Sequence, residues 1–210
     1  IRKHRNSGEN YILRAGQVRP LVVTINRPAP DPDQIYAVGD VYPYKGFQAI
    51  GVVFAIENDG KNGKIVGLQE ISDIAWSKEY GDTYASNMTN GRANMRTIYG
   101  LDNDFSGYPA FAWAHRLNPS GTDYADPAAK VVWYLPAKDE SAALINAQSA
   151  VNISLISTGS TELGNDWYYW TSSEDDADRA LVKSFGLGST GPADKKVAAS
   201  DFICRCILAF

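Results

Sequence analysis

Short runs of β-branched and aromatic residues, separated by Gly, Asp, Asn and Pro, recur along this chain, which is the pattern of short strands joined by turns. The most pronounced is Tyr168-Tyr169-Trp170-Thr171-Ser172-Ser173-Glu174, followed by an acidic, Gly-rich span and a terminal run, Phe202-Ile203-Cys204-Arg205-Cys206-Ile207. The acidic span is too polar for a core and is expected at the surface, where loops on a rigid scaffold commonly carry recognition. Residues 49–56 read as a buried strand. The Asp-Gly and Asn-Gly pairs of Asn58-Asp59-Gly60-Lys61-Asn62-Gly63 permit positive φ, so the chain should fold back through residues 64–68 as a hairpin. Residues 107–116 predict a short helix with Pro109 in its first turn. Residues 137–148 carry helix formers with acids in the first turn and read as the chain's best helix, while 150–164 read as an irregular connection.

Upstream, residues 11–16 and the β-branched run 21–25 read as two strands, too few for a sheet of their own. Arg27-Pro28-Ala29-Pro30-Asp31-Pro32-Asp33 favours an extended polyproline-type spacer. This places the expected domain boundary: residues 1–33 as the last strands of an upstream β-sandwich with its linker, and 34–210 as the main domain. The alternative is a loop within one domain. With 210 residues and 44% hydrophobic content, one sizeable core is expected. A chain opening on Ile1 reads as processed or trimmed.

The formal net charge is −4 and no basic stripe occurs, so nucleic acid and anionic membrane surfaces are not expected partners. No run of 18 apolar residues is present, and no membrane span is expected. Cys204 and Cys206 fall two apart on a strand pattern, hence on one face, and read as buried free thiols. Of the two histidines, His4 lies in the basic leader, and His115 lacks an acidic, Ser or Cys partner at a recognisable spacing, so it reads as structural or solvent-facing.

Tests for chemistry return little. Gly186-Leu187-Gly188-Ser189-Thr190-Gly191 fits GxGxxG by letter, but Pro192 and the few remaining residues exclude the helix a dinucleotide fold needs. Asp102-Asn103-Asp104 followed by Gly107 starts like an EF-hand loop, yet its twelfth position is Trp113, and a turn is expected instead. Glu174, Asp175, Asp176 and Asp178 form a carboxylate cluster that could hold calcium or simply be a solvated acidic loop. Sequons at Asn87 and Asn152 matter only in a glycosylating host. No cofactor is called for.

The order of Val38-Gly39-Asp40, Gly51-Val52-Val53-Phe54, Gly63-Lys64-Ile65-Val66, Trp76, Trp133-Tyr134-Leu135-Pro136, the 168–174 stretch and Cys204-Arg205-Cys206-Ile207-Leu208-Ala209-Phe210 resembles bacterial C-type-lectin-like modules of Bacteroidetes surface and pilus-tip proteins. The first strands are similar to the end of a fimbrillin-like pilin domain. The resemblance implies an α+β fold with a small antiparallel sheet, short helices and long loops forming a ligand face. The calcium signatures of animal sugar-binding lectins are absent, and Leu181 and Leu208 stand where similar modules have Trp and Arg. Formylglycine-generating sulfatase activators share that fold but use reactive cysteines, for which inward, same-face Cys204 and Cys206 are poor candidates.

The reading that results is a non-catalytic adhesin subunit at the cell surface or on a pilus, binding a glycan or protein and contacting other pilin subunits. Its expected contacts are Trp167, Asp175, Asp176, Asp178, Arg179, Ser184, Leu187, Ser189 and Thr190, where polar loop groups give direction and an aromatic ring can stack, with a place in the core as the alternative for Trp167. A receptor diversified by a retroelement, which would vary the region matching 175–201, and a purely architectural pilin are the alternatives.

Overall fold

The computed structural model describes residues 34–44, 48–122, 124 and 132–210. The expected strands at 11–16 and 21–25, the proline spacer and His4 lie outside these residues. The fold is mixed α+β. Seven strands, β1 (Val41–Tyr44), β2 (Gln48–Glu57), β3 (Asn62–Ile71), β4 (Tyr168–Glu174), β5 (Arg179–Ser184), β6 (Thr190–Asp194) and β7 (Phe202–Ala209), form one sheet in the order β1-β2-β3-β7-β4-β5-β6. All neighbours are antiparallel except β4 and β7, which pair in parallel at Tyr168 with Phe202 and Tyr169 with Ile203. The terminal strand thus joins the two antiparallel portions.

The β2–β3 hairpin turns where expected. Asn58, Asp59 and Gly60 all take positive φ, the last at +88°, and a Cβ on Gly60 would stand 2.3 Å from the Tyr36 carbonyl oxygen. Among the described residues, four helices pack on the sheet: α1 (Gly91–Leu101), α2 (Pro109–Arg116), α3 (Lys138–Asn146) and α4 (Gln148–Ser157). Helices α2, with Pro109 in its first turn, and α3 match the sequence expectation. The irregular connection expected at 150–164 is instead largely α4, and α1 was not foreseen. In α4 the β-branched residues carry no clean period, but Val151 and Leu155, four apart, bury against the core together with Ala147. In α1 the stripe is Gly91, Asn94, Met95 and Ile98, with Asn90 capping the Ala93 N–H. Tertiary burial overrides weak local propensity in both.

Two indoles explain why the aromatic stretch organises the domain. Trp76 and Trp170 are fully buried. Trp76 donates through Nε1 to the Thr171 carbonyl, and Trp170 to the Ile74 carbonyl, both at 2.9 Å, so the segment after β3 is locked to β4. Trp76 also meets Phe111 of α2 edge-on, with ring centroids 5.0 Å apart. A smaller cluster of Val53, Ile65 and Leu208 lies on the other sheet face, covered by the rings of Tyr36, Tyr42 and Phe210.

Among the described residues, three acid–base pairs with at least one buried partner tie loops to this frame. Glu140 of α3 takes the Lys64 ammonium at 2.7 Å and the N–H groups of Gly91 and Ala137. Arg205 of β7, 1% exposed, donates to the carbonyls of Gly67, Leu68 and Thr161 and to Glu70, filling the bulge in β3 between Val66 and Glu70. The third pair, Glu174 with Lys195, sits beneath the candidate site.

Candidate functional site

Strand β5 divides the residues expected to bind. Asp175, Asp176, Asp178 and Arg179 lie at the β4–β5 turn, where β5 starts. Ser184, Leu187, Ser189 and Thr190 lie at the β5–β6 turn, where it ends, and Trp167 joins them because Gly186 donates to the Asn165 carbonyl. A strand of six residues rises ~3.4 Å per residue, so the two groups are about 20 Å apart and do not form one surface for a small ligand.

The β5–β6 end is the simpler. Leu187 is 75% exposed at its tip. Lys183 stiffens the turn by donating to the Gly188 carbonyl and to Thr190 Oγ1, and burial holds its ammonium below the ordinary lysine pKa. Ser184 is buried. Trp167 is half-buried with its ring over Gly164, where a Cβ would come within 2.6 Å of it.

The β4–β5 end is built in two layers. On the outside, Asp176 Oδ1 accepts the N–H groups of Asp178 and Arg179, closing an Asx-type turn. Its Oδ2 takes the Arg179 guanidinium through both Nε and a terminal nitrogen, at 2.8 and 2.6 Å. These hydrogen bonds, Arg179 foremost, hold the Asp176 carboxyl below the ordinary aspartate value. The carboxylate is thereby committed to the turn, and among the described residues no group of three or more His, Cys, Asp or Glu is placed to hold a metal ion. Asp175 and Asp178 remain exposed.

Beneath the turn, Glu174 is buried and accepts from Thr83 N and Oγ1, Tyr84 N and Lys195 Nζ. Lys195 has no solvent exposure, donates also to the carbonyls of Gly81 and Ala177, and lies over the Trp76 ring at 5.1 Å. The pair therefore clamps residues 81–85 beside the turn, a contact extended by Gly81 N–H donating to the Ala177 carbonyl.

This clamp presents two residues that sequence reasoning missed. Tyr84 is 78% exposed and holds φ at +61°, a left-handed conformation that a bulky side chain rarely adopts. Its own N–H, bonded to Glu174, keeps it there. Tyr80 is exposed too, donating to Asp194 at 2.8 Å with the Lys196 ammonium over its ring. Only their polar, Gly- and Asp-rich surroundings could have marked these tyrosines as surface aromatics. With Asp82, Asp175, Asp178 and Asp194 exposed nearby, the end is acidic and aromatic.

Elsewhere, His115 bonds Tyr124 Oη and stacks near Phe105, a structural role, and burial lifts Tyr124 to a pKa of about 12. Cys204 and Cys206 are free and buried, with burial pushing both thiols up. The residues 102–107 form a turn in which Asp102 accepts the Gly107 N–H. A groove of about 260 Å³, lined by Ala49, Ile50, Gly67, Leu68, Gln69, Leu117 and Trp133, contains none of the expected contacts. It is smaller than the ~300–1,000 Å³ usual for small-molecule pockets.

No helix among the described residues is long and apolar enough to cross a membrane. No protein-family model matches the chain, and no curated protein matches its sequence. Its fold is similar to that of a fimbrial protein from Bacteroides ovatus, known from a crystal structure, with a TM-score of 0.61 at 15% sequence identity. The likeness covers 83% of this chain and 49% of that one, so the chain spans about half the length of the protein it matches.

Proposed function

We infer that the chain is a non-catalytic, surface-exposed part of a pilus-related subunit, a C-type-lectin-like scaffold that binds a glycan or protein ligand through the loops at the β4–β5 end. The fold likeness to a fimbrial protein supports the pilus relation, the cell-surface location and other pilin subunits as neighbours. The observation that carries the binding site is Tyr84: a strained, exposed aromatic whose backbone N–H is held by the buried Glu174 carboxylate. Tyr80 and Tyr84 offer stacking faces. Asp82, Asp175 and Asp178 offer acceptors to sugar hydroxyls or to a cationic protein loop.

The test is binding of the full chain to an array of glycans and matrix proteins, in calcium and again in chelator. A specific ligand retained in chelator, because Asp176 is already committed to Arg179, is the expected result. Binding lost in chelator would refute the metal-free arrangement, and no binding at all would refute the recognition role.

A further inference from the structure

The groove beside Trp133 has a cause in the strand register. Strand β2 pairs with β3 from Glu57 opposite Asn62 as far as Gly51 opposite Gly67, and no further. Beyond that point β2 follows β1, with Ala49 opposite Pro43, while β3 follows β7, with Glu70 opposite Arg205. Arg205 fixes the parting, because it takes the carbonyls of Gly67 and Leu68 at the bulge in β3. The space of about 260 Å³ left between the strands is lined by Ala49 and Ile50 from one and by Leu68 and Gln69 from the other, with Leu117 and Trp133 completing it.

Trp133 is set firmly in this wall. Its N–H donates to Asn118 Oδ1 at 2.6 Å and its carbonyl accepts from Asn118 Nδ2 at 2.9 Å, so one side chain pins both of its backbone groups. Its six-membered ring lies against Gly67, where a Cβ would stand 3.2 Å from it. The indole N–H groups of Trp76 and Trp170 are both bonded to carbonyls. That of Trp133 makes no hydrogen bond among the described residues, and neither does the Gln69 amide. None of the described lining residues carries a charge.

We propose that this groove binds one neutral pyranose ring, at a site separate from the β4–β5 end and independent of what that end binds. The polarised C–H face of a sugar stacks on the negative face of an indole. The Gln69 amide supplies a donor and an acceptor to neighbouring hydroxyls, and the Trp133 N–H supplies a second donor. A charged ligand finds no opposite charge here to offset its lost hydration. A wholly apolar one covers the indole N–H without giving it an acceptor. The volume, below the usual small-molecule range, takes a single ring rather than an oligosaccharide.

The experiment follows the full chain, with fluorotryptophan in place of its tryptophans, by fluorine NMR. It is titrated with the methyl glycosides of glucose, galactose, mannose and N-acetylglucosamine, and with methyl glucuronide as the charged control. The Trp133 signal is the one missing from Trp133→Phe. At least one neutral glycoside should shift that signal saturably, and the glucuronide should not. Gln69→Ala, at an exposed position, should weaken the affinity about fivefold with the melting temperature unchanged, while Tyr84→Gly leaves it unaltered. No saturable shift with any neutral glycoside overturns the proposal. So does a shift that Gln69→Ala leaves unaltered or that the glucuronide reproduces at equal affinity. A shift abolished by Tyr84→Gly overturns it too and assigns the sugar to the β4–β5 end.

Discussion

Lys195 and Glu174 form an ion pair shut off from solvent, and the same lysine donates to the carbonyls of Gly81 and Ala177 while the same carboxylate gathers Thr83 and Tyr84. One contact therefore holds three chain segments: the end of β4, the loop 81–85 and the segment after β6. Removing one partner of a buried pair strands the other charge, which costs about 3–5 kcal/mol. Lys195→Met should lower unfolding free energy by about that amount. In a double-mutant cycle with Glu174→Gln, measured by denaturant titration, the two losses should not add. Additive losses would mean that the segments are held independently.

Tyr84 separates stability from recognition. Its left-handed backbone costs an L-residue about 1–2 kcal/mol that glycine avoids. Tyr84→Gly should therefore leave the melting temperature unchanged or raised, while the ring and any binding through it are lost. A clear fall in melting temperature would show that the ring supports the fold.

Glu70 gives a pH dependence. Burial holds its carboxyl above the ordinary value of 4.5, against the opposing pull of Arg205. A carboxyl raised in the folded chain binds its proton more readily there than in the unfolded chain. Its contribution to stability is thus fullest below the unfolded value and declines as pH rises through the folded one. The parent's advantage over Glu70→Gln, read from thermal melts, should be larger at acid than at neutral pH. An advantage that grows with pH would mean that the attraction of Arg205 outweighs the desolvation.

Cys204 and Cys206 should ignore a thiol reagent in the native protein at neutral pH and both react once the chain is unfolded in guanidinium, since burial disfavours each thiolate. Rapid native reaction would place the terminal strand at the surface.

Much of the frame was legible in the sequence because it depends on local rules. Asn58-Asp59-Gly60 announced the hairpin, Pro109 the start of α2, and the apolar runs of β2 and β7 their place in the sheet. Helix α4 was not legible, since Val151, Ile153 and Ile156 prefer strands and only the pocket for Val151 and Leu155 decides otherwise. Helix α1 was not foreseen either, because Gly91 and Gly100 weaken the helical signal that Met95 and Ile98 carry. Lys195 is a harder case. It stands between Asp194 and Lys196 in a run that reads as solvated, and nothing in the letters distinguishes the buried lysine from its exposed neighbour. Nor does sequence proximity show that Asp176 and Leu187 lie at opposite ends of a strand.

The central claim is that recognition sits at the β4–β5 end. Its most direct test compares the affinity of the parent chain for its array ligand with that of Tyr84→Gly, Asp178→Ala and Leu187→Ala. Loss of the interaction in Tyr84→Gly, weakening of about tenfold, or ~1.4 kcal/mol, in Asp178→Ala and no change in Leu187→Ala is the predicted outcome. Binding that survives the first two substitutions and fails in Leu187→Ala would contradict it and move the site to the other end of β5.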